Sequence, residues 1–171
     1  MALIFRKCGA ADGAVLLDFA RRTYFETFAR WNTEENMEAY LAEAFAPEKF
    51  LAELADRDSS FYGLLENGTF AGYLKLNEAP AQTELHDRAA LEIERIYVAR
   101  EFQGLGFGKR LMDQALAEAR SRKKAYVWLG VWENNEKALR FYRSYGFYPA
   151  GTHVFVMGDD AQTDYLMRKD L

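Results

Sequence analysis

Between Glu92 and Arg110 the sequence reads EIERIYVAREFQGLGFGKR, with Gly104, Gly106 and Gly108 at alternate positions just ahead of a helix-like pattern. Glycine lets a backbone pass close to a ligand, and the first-turn amides of a helix have no partner inside it. Those amides and the helix dipole favour a phosphate or pyrophosphate. Two nucleotide-binding loops do not fit. The spacing G-x-G-x-G departs from the dinucleotide pattern G-x-G-x-x-G, and Lys109 is followed by Arg110 where a Walker loop has Ser or Thr. Gln103-x-x-Gly106-x-Gly108 remains, and alone it is also compatible with a flexible connector. Downstream stands Asn135-x-x-Ala138-x-x-Phe141-Tyr142-x-x-x-Gly146-Phe147. Asn135 reads as a helix cap or a ligand contact, and Tyr142 as a core aromatic or a proton donor. Ahead of the glycines, strand alternation puts Glu92 and Glu94 on one side and Leu91, Ile93 and Arg95 on the other. These carboxylates can take a proton from a substrate, face solvent, or pair with Arg95 or Arg100. His86 and His153 are isolated histidines, proton acceptors or structural groups.

Together the two segments resemble the GCN5-related N-acetyltransferase (GNAT) superfamily, whose pyrophosphate loop is written Q/R-x-x-G-x-G/A. The resemblance covers most of the chain. It is more narrowly similar to the bacterial PaiA-type spermidine/spermine N-acetyltransferases through LEIERIYVAREFQGLGFG, YVWLGVWENNEKALRFY and GTHVFVMGDDAQTDYLM. The resemblance implies an α/β fold with a mixed, mostly antiparallel central sheet and helices on both faces. It implies acetyl-CoA as donor and a primary amine as acceptor, a polyamine such as spermidine or spermine. It also implies roles. The backbone of Ile96, Tyr97 and Val98 meets the acetyl carbonyl and pantetheine where the fourth strand splays from the fifth. Gln103, Gly104, Leu105, Gly106, Phe107, Gly108 and Lys109 hold the pyrophosphate, with Arg110 adding charge. Asn135 contacts the coenzyme arm, Tyr142 donates to the thioester sulfur, and Glu92 occupies the position of a strand carboxylate base. No metal is implied.

The chemistry of amide formation is consistent with that set. An alkylamine is cationic at neutral pH and must lose a proton before attacking a thioester, and the departing thiolate needs a donor. A phenol with a pKa near ~10 is neutral at pH 7 and can donate. Competing readings are an acetyltransferase for another small amine or a peptide amine, a non-catalytic acyl-CoA sensor, and an adaptor whose acidic helices bind a basic partner. Tyr142 argues against the sensor, and the intact Gln103, Gly106 and Gly108 argue against the adaptor.

The elements that must position these residues follow from spacing. A strand is expected over 2–7, then a helix with apolar positions Ala14, Leu17, Arg21, Tyr24 and Phe28. Asn32 or Thr33 can cap a second helix through 45, and Pro47 opens a third. Strands over 60–66 and 69–77 flank Asn67-Gly68, the preferred pair for a type I′ hairpin. A polar loop over 78–88 leads to a strand over 90–98. A helix over 105–122 carries a stripe of Leu105, Leu111, Met112, Ala115, Leu116 and Ala119. The apolar run 125–131 reads as a strand buried on both faces. A helix over 135–145 is ended by Gly146, and strands over 152–157 and 163–169 close the chain. One domain is expected over 1–171.

Composition narrows the class. Half of the 171 residues are hydrophobic, which excludes a disordered chain, and the net charge of −4 disfavours a nucleic-acid binder. Glu26, Glu34, Glu35, Glu38, Glu43 and Glu48 cluster in the early helices, either as a solvated face or as carboxylates that attract a cationic acceptor. Cys8, the only cysteine, is expected to fill the core. No run approaches the ~18 apolar residues of a membrane span, so no membrane partner and a cytoplasmic location are expected. The oligomeric state is left open, a homodimer included.

Overall fold

The computed structural model describes residues 2–171. In chain order the elements are β1 (Leu3–Lys7), α1 (Gly13–Phe28), α2 (Glu34–Ala44), α3 (Pro47–Ala55), β2 (Ser59–Glu66), β3 (Thr69–Asn77) and β4 (Ala90–Val98). They continue as α4 (Phe107–Ser121), β5 (Tyr126–Trp132), α5 (Glu136–Ser144), β6 (Tyr148–Met157) and β7 (Asp160–Asp170). The strands form one sheet in the order β1-β2-β3-β4-β5-β7-β6. Every pairing is antiparallel except β4 with β5, so the fold is the expected mixed, mostly antiparallel sheet.

Helices cover both faces because the strands alternate. Val127, Leu129 and Val131 of β5 join Leu111, Met112 and Ala115 of α4 in one core, which also takes Leu139 and Tyr142 of α5. Phe61, Leu65 and Tyr73 point the other way, into a second core with Leu16, Ala20 and Tyr24 of α1 and Phe50 of α3. Cys8 is buried in that second core, and burial raises its thiol to about 11, so it packs as an inert apolar side chain.

Local chemistry sets the boundaries. Asn67 and Gly68 both have positive φ, 50° and 81°, as a type I′ turn requires. The Thr33 side chain accepts from the Asn36 amide and caps α2. Three expectations need correction. Helix α4 begins at Phe107, because Gly106 at its N-cap is left-handed with φ 82°, and Leu105 is 61% exposed outside the stripe. The buried side of α1 runs through Leu16, Leu17, Ala20, Thr23 and Tyr24, while Ala14 is exposed and Arg21 donates to the Phe45 carbonyl. Strand β6 starts at Tyr148, ahead of residue 152: Pro149 and Gly151 sit at a bulge in the pairing with β7, which lets the strand continue through them. No helix among the described residues is long and apolar enough to cross a membrane.

Candidate active site

The parallel pairing of β4 with β5 stops at Glu92 and Trp128, although β4 runs on to Val98 and β5 to Trp132. Beyond that point the strands part. A bulge in β4 lies next to the split: Ile93 pairs with Leu76 and Arg95 with Lys75, which leaves Glu94 as the extra residue. The bulge reverses the side-chain parity, so Arg95 and Tyr97 share the face of Glu92, contrary to simple alternation. A cleft of about 720 Å³ fills the split, and the backbones of Ile96, Tyr97 and Val98 border it.

The glycine loop forms one end of this cleft. Gln103, Gly104, Gly106, Phe107, Gly108 and Lys109 line it, while the Leu105 side chain points to solvent. Gly104 and Gly106 have φ of 79° and 82°, the left-handed region in which a side chain is strained. Gly108 differs. It lies in the first turn of α4, where a Cβ would meet only the Phe141 ring at 3.8 Å, so neither conformation nor packing demands glycine there. Its bare backbone leaves room above the first-turn amides of Phe107, Gly108 and Lys109, which have no acceptor within the helix. The arrangement fits a pyrophosphate. Gln103 donates to the Val98 carbonyl at 3.2 Å and accepts from Lys137 Nζ at 3.1 Å, tying the end of β4 to α5. Lys137 therefore brings a second cation beside Lys109 at this end.

Helix α5 supplies the groups at the split. The Asn135 Oδ1 caps the helix by accepting from the Ala138 amide at 3.3 Å, and the residue lines the cleft with its Nδ2 donor unpaired among the described residues. Tyr142 lies about two helical turns further along the same side, with its ring edge-on to Phe141 and Phe147. It is buried, and burial alone pushes its phenol above the usual range. No group among the described residues bonds to its hydroxyl, which lines the cleft as a neutral donor.

The carboxylates are in three different situations. Glu92 is 2% exposed and accepts from the Asn77 Nδ2 and Thr83 amide at 2.9 Å each and from the Thr83 hydroxyl at 2.5 Å. Burial still raises its carboxyl above the ordinary value, because those three donors only partly offset desolvation. Glu94 is also desolvated, but Arg95 and Lys75 hold it below the ordinary value, with Lys75 Nζ at 2.7 Å and Arg95 at 3.2 Å; Glu53 joins the same group. Asp164 of β7 lines the cleft half-buried, with no hydrogen bond or ion pair among the described residues. Desolvation raises its carboxyl to about 6, with His153 opposing and Glu133 adding to the rise.

The remaining candidates separate. His153 borders the cleft and sits 3.1 Å from the Glu84 carboxylate, whereas His86 bonds to the Ala79 carbonyl outside it. Glu34, Glu35, Glu38, Glu43 and Glu48 are exposed and border none of the cleft, and Glu26 accepts from the Arg100 amide and Arg22. The helix glutamates are thus a solvated face. The carboxylates that do face the cleft come from Glu84, Glu92, Glu94 and Asp164. Sequence reasoning passed over Thr83, Lys137 and Asp164. Gly130, a glycine inside an otherwise apolar strand, was the available signal for the last of these.

Known proteins place this geometry in context. The family described as the acetyltransferase (GNAT) family matches residues 22–147. An uncharacterized N-acetyltransferase in the pepI 3′ region of Lactobacillus delbrueckii subsp. lactis is 45% identical over 152 residues, 89% of this chain and 88% of its own. A spermidine N(1)-acetyltransferase of Thermoplasma acidophilum is 25% identical over 99% of this chain and 98% of its own. The crystal structure of the PaiA N-acetyltransferase from Thermoplasma acidophilum in complex with coenzyme A superposes with a TM-score of 0.82. It is 24% identical, covering 100% of each chain, and shares the fold.

Proposed function

This chain belongs to the acetyltransferase (GNAT) family, and from that premise we propose that it moves the acetyl group of acetyl-CoA onto a primary amine of a polyamine. The chain is an N-acetyltransferase and acetyl-CoA is its cofactor, which supplies the acetyl group activated as a thioester. We read residues 1–171 as one N-acetyltransferase domain.

The chain's own groups then divide the work. The first-turn amides of α4, with Lys109 and Lys137, hold the pyrophosphate. The open edge of Ile96 to Val98 and the Asn135 Nδ2 orient the pantetheine and the acetyl carbonyl. Tyr142 holds its proton beside the sulfur position and stabilises the negative charge that develops there. Glu92 has both oxygens engaged by Asn77 and Thr83, so it suits a relay in which the amine proton passes through Thr83 or a water. Tyr24 and Phe28 wall the acceptor half and keep the reacting amine dry enough to stay neutral.

The observation that carries the reading is the pairing of two features across one cleft: unpaired α4 amides at one end and the free Tyr142 hydroxyl at the strand split. The likeness to a spermidine acetyltransferase along nearly the whole chain and the cleft carboxylates support a polycationic acceptor. Initial rates over polyamines, aminoglycosides, amino acids and basic peptides test it. Spermidine and spermine should lead the panel, and their KM should rise with salt as the attraction is screened. A panel in which polyamines are inert while another amine is acetylated overturns the polyamine assignment.

A further inference from the structure

The cleft-facing side of β5 carries Trp128, Gly130 and Trp132, since the intervening Val127, Leu129 and Val131 belong to the α4 core. Gly130 is in the middle of a strand, without a left-handed φ, and its residue is exposed. A Cβ there would touch only the Asp164 Oδ2, at 3.8 Å, an ordinary contact. Neither backbone conformation nor packing explains a glycine that weakens a central strand, whereas close approach of a ligand does. The missing side chain leaves a slot between two indoles.

Asp164 closes this slot. Its pairing with Trp132 on β5 and His153 on β6 puts its side chain on the same face as Gly130. The carboxylate is half-buried and unpaired among the described residues, which is costly unless a cation arrives from the cleft. The charged neighbours offset it only in part, since His153 opposes the rise in its carboxyl without overcoming it. His153 is held at 3.1 Å by Glu84, and Glu133 carries the same sign. Trp132, edge-on to Trp31 at 5.2 Å between ring centres, adds an aromatic wall of the kind that attracts ammonium groups.

We infer that Asp164 and the Gly130 slot bind a second, non-reacting ammonium group of the acceptor and so make the enzyme select polyamines over monoamines. This rests on the polyamine reading above and names the residue responsible for it. Asp164 is a specificity determinant, not part of the bond-making machinery: the amine that reacts lies at the strand split, next to Tyr142.

The experiment compares KM and kcat for spermidine and for a linear monoamine in wild type, Asp164→Asn and Gly130→Val, at saturating acetyl-CoA. Asp164→Asn removes the charge and keeps the shape; Gly130→Val keeps the charge and fills the slot. Both should raise the spermidine KM at least tenfold, leave the monoamine KM and the acetyl-CoA KM within about twofold, and erase the preference for spermidine. Circular dichroism and the unchanged acetyl-CoA KM report that each variant is folded. If wild type does not prefer spermidine to the monoamine, the polyamine reading itself fails. If wild type prefers spermidine and Asp164→Asn keeps that preference, the inference about Asp164 is overturned while the polyamine reading stands. A change confined to kcat also overturns it.

Discussion

Replacing Tyr142 with Phe separates catalysis from folding, because the hydroxyl is the only group removed. In the folded protein the Tyr142 ring is buried in the wall of the cleft, burial alone accounts for its raised pKa, and the hydroxyl still opens onto the cleft. No internal hydrogen bond is therefore lost, and the ring keeps its contacts with Phe141 and Phe147. Because the hydroxyl meets only the cleft, Phe should leave stability within about 1 kcal/mol of wild type. For a chain of this size that is a change in Tm of no more than about 4 °C. Catalysis should behave oppositely. Loss of a positioned proton donor slows reaction about 10²-fold or more, close to 2.7 kcal/mol of barrier. The assay is thiol release at saturating acetyl-CoA and acceptor, with calorimetry for coenzyme affinity and a thermal melt on the same sample. Turnover within threefold of wild type would reduce Tyr142 to a packing residue. A fall in Tm of several degrees would mean that the hydroxyl has a structural partner, and the reasoning would fail there too.

Other perturbations test the remaining parts of the site. Gly108→Leu should fold normally, since its Cβ meets only Phe141 at 3.8 Å, yet weaken acetyl-CoA binding at least tenfold; unchanged affinity by calorimetry removes the loop from the pyrophosphate site. Glu92→Gln can keep its carbonyl on the Asn77 and Thr83 N–H donors and turn its NH₂ to the Thr83 hydroxyl, which can accept, so it should fold and lower turnover. The rising limb of the pH–rate profile, which follows ionisation of a carboxyl raised by burial, should also shift or vanish, and an unaltered limb moves the proton-accepting role elsewhere. Asp164→Asn should stabilise the ligand-free protein near neutrality. A carboxyl at about 6 in the fold and 3.8 when unfolded is harder to ionise in the folded state, so its penalty is absent below pH 3.8 and complete above pH 6. Allowing for solvent screening, the gain should be about 1 kcal/mol at pH 7 and fade toward pH 4; a gain independent of pH refutes the ionisation as its cause.

Much of this site is legible in the sequence because its determinants are local. Asn67-Gly68 specifies its hairpin, Thr33 its cap and Gly146 the end of α5, each through a backbone conformation or one hydrogen bond. The glycine loop and Asn135 to Tyr142 likewise sit within single strand–helix units. What escaped depends on non-local pairing. The bulge at Glu94 arises from the register of β4 against β3, and it alone brings Arg95 to the face of Glu92. Thr83 reaches Glu92 through the fold of a polar loop that carries no periodicity. Asp164 meets the cleft only because β7 inserts between β5 and β6, an order that chain sequence does not reveal. For the glutamates of α2 and α3 the sequence left a solvated face and an acceptor surface open, and their helical faces turn them to solvent, as the first of these has it.

The most direct test of acetyl transfer in this cleft is mass spectrometry of spermidine incubated with acetyl-CoA and the purified protein. The prediction is a singly acetylated spermidine that accumulates with enzyme and time, in step with thiol release, and falls about a hundredfold with Tyr142→Phe. Tight binding of acetyl-CoA with no acetylated product from spermidine, or from any amine in the panel, would contradict the account and leave a protein that binds the coenzyme without using it.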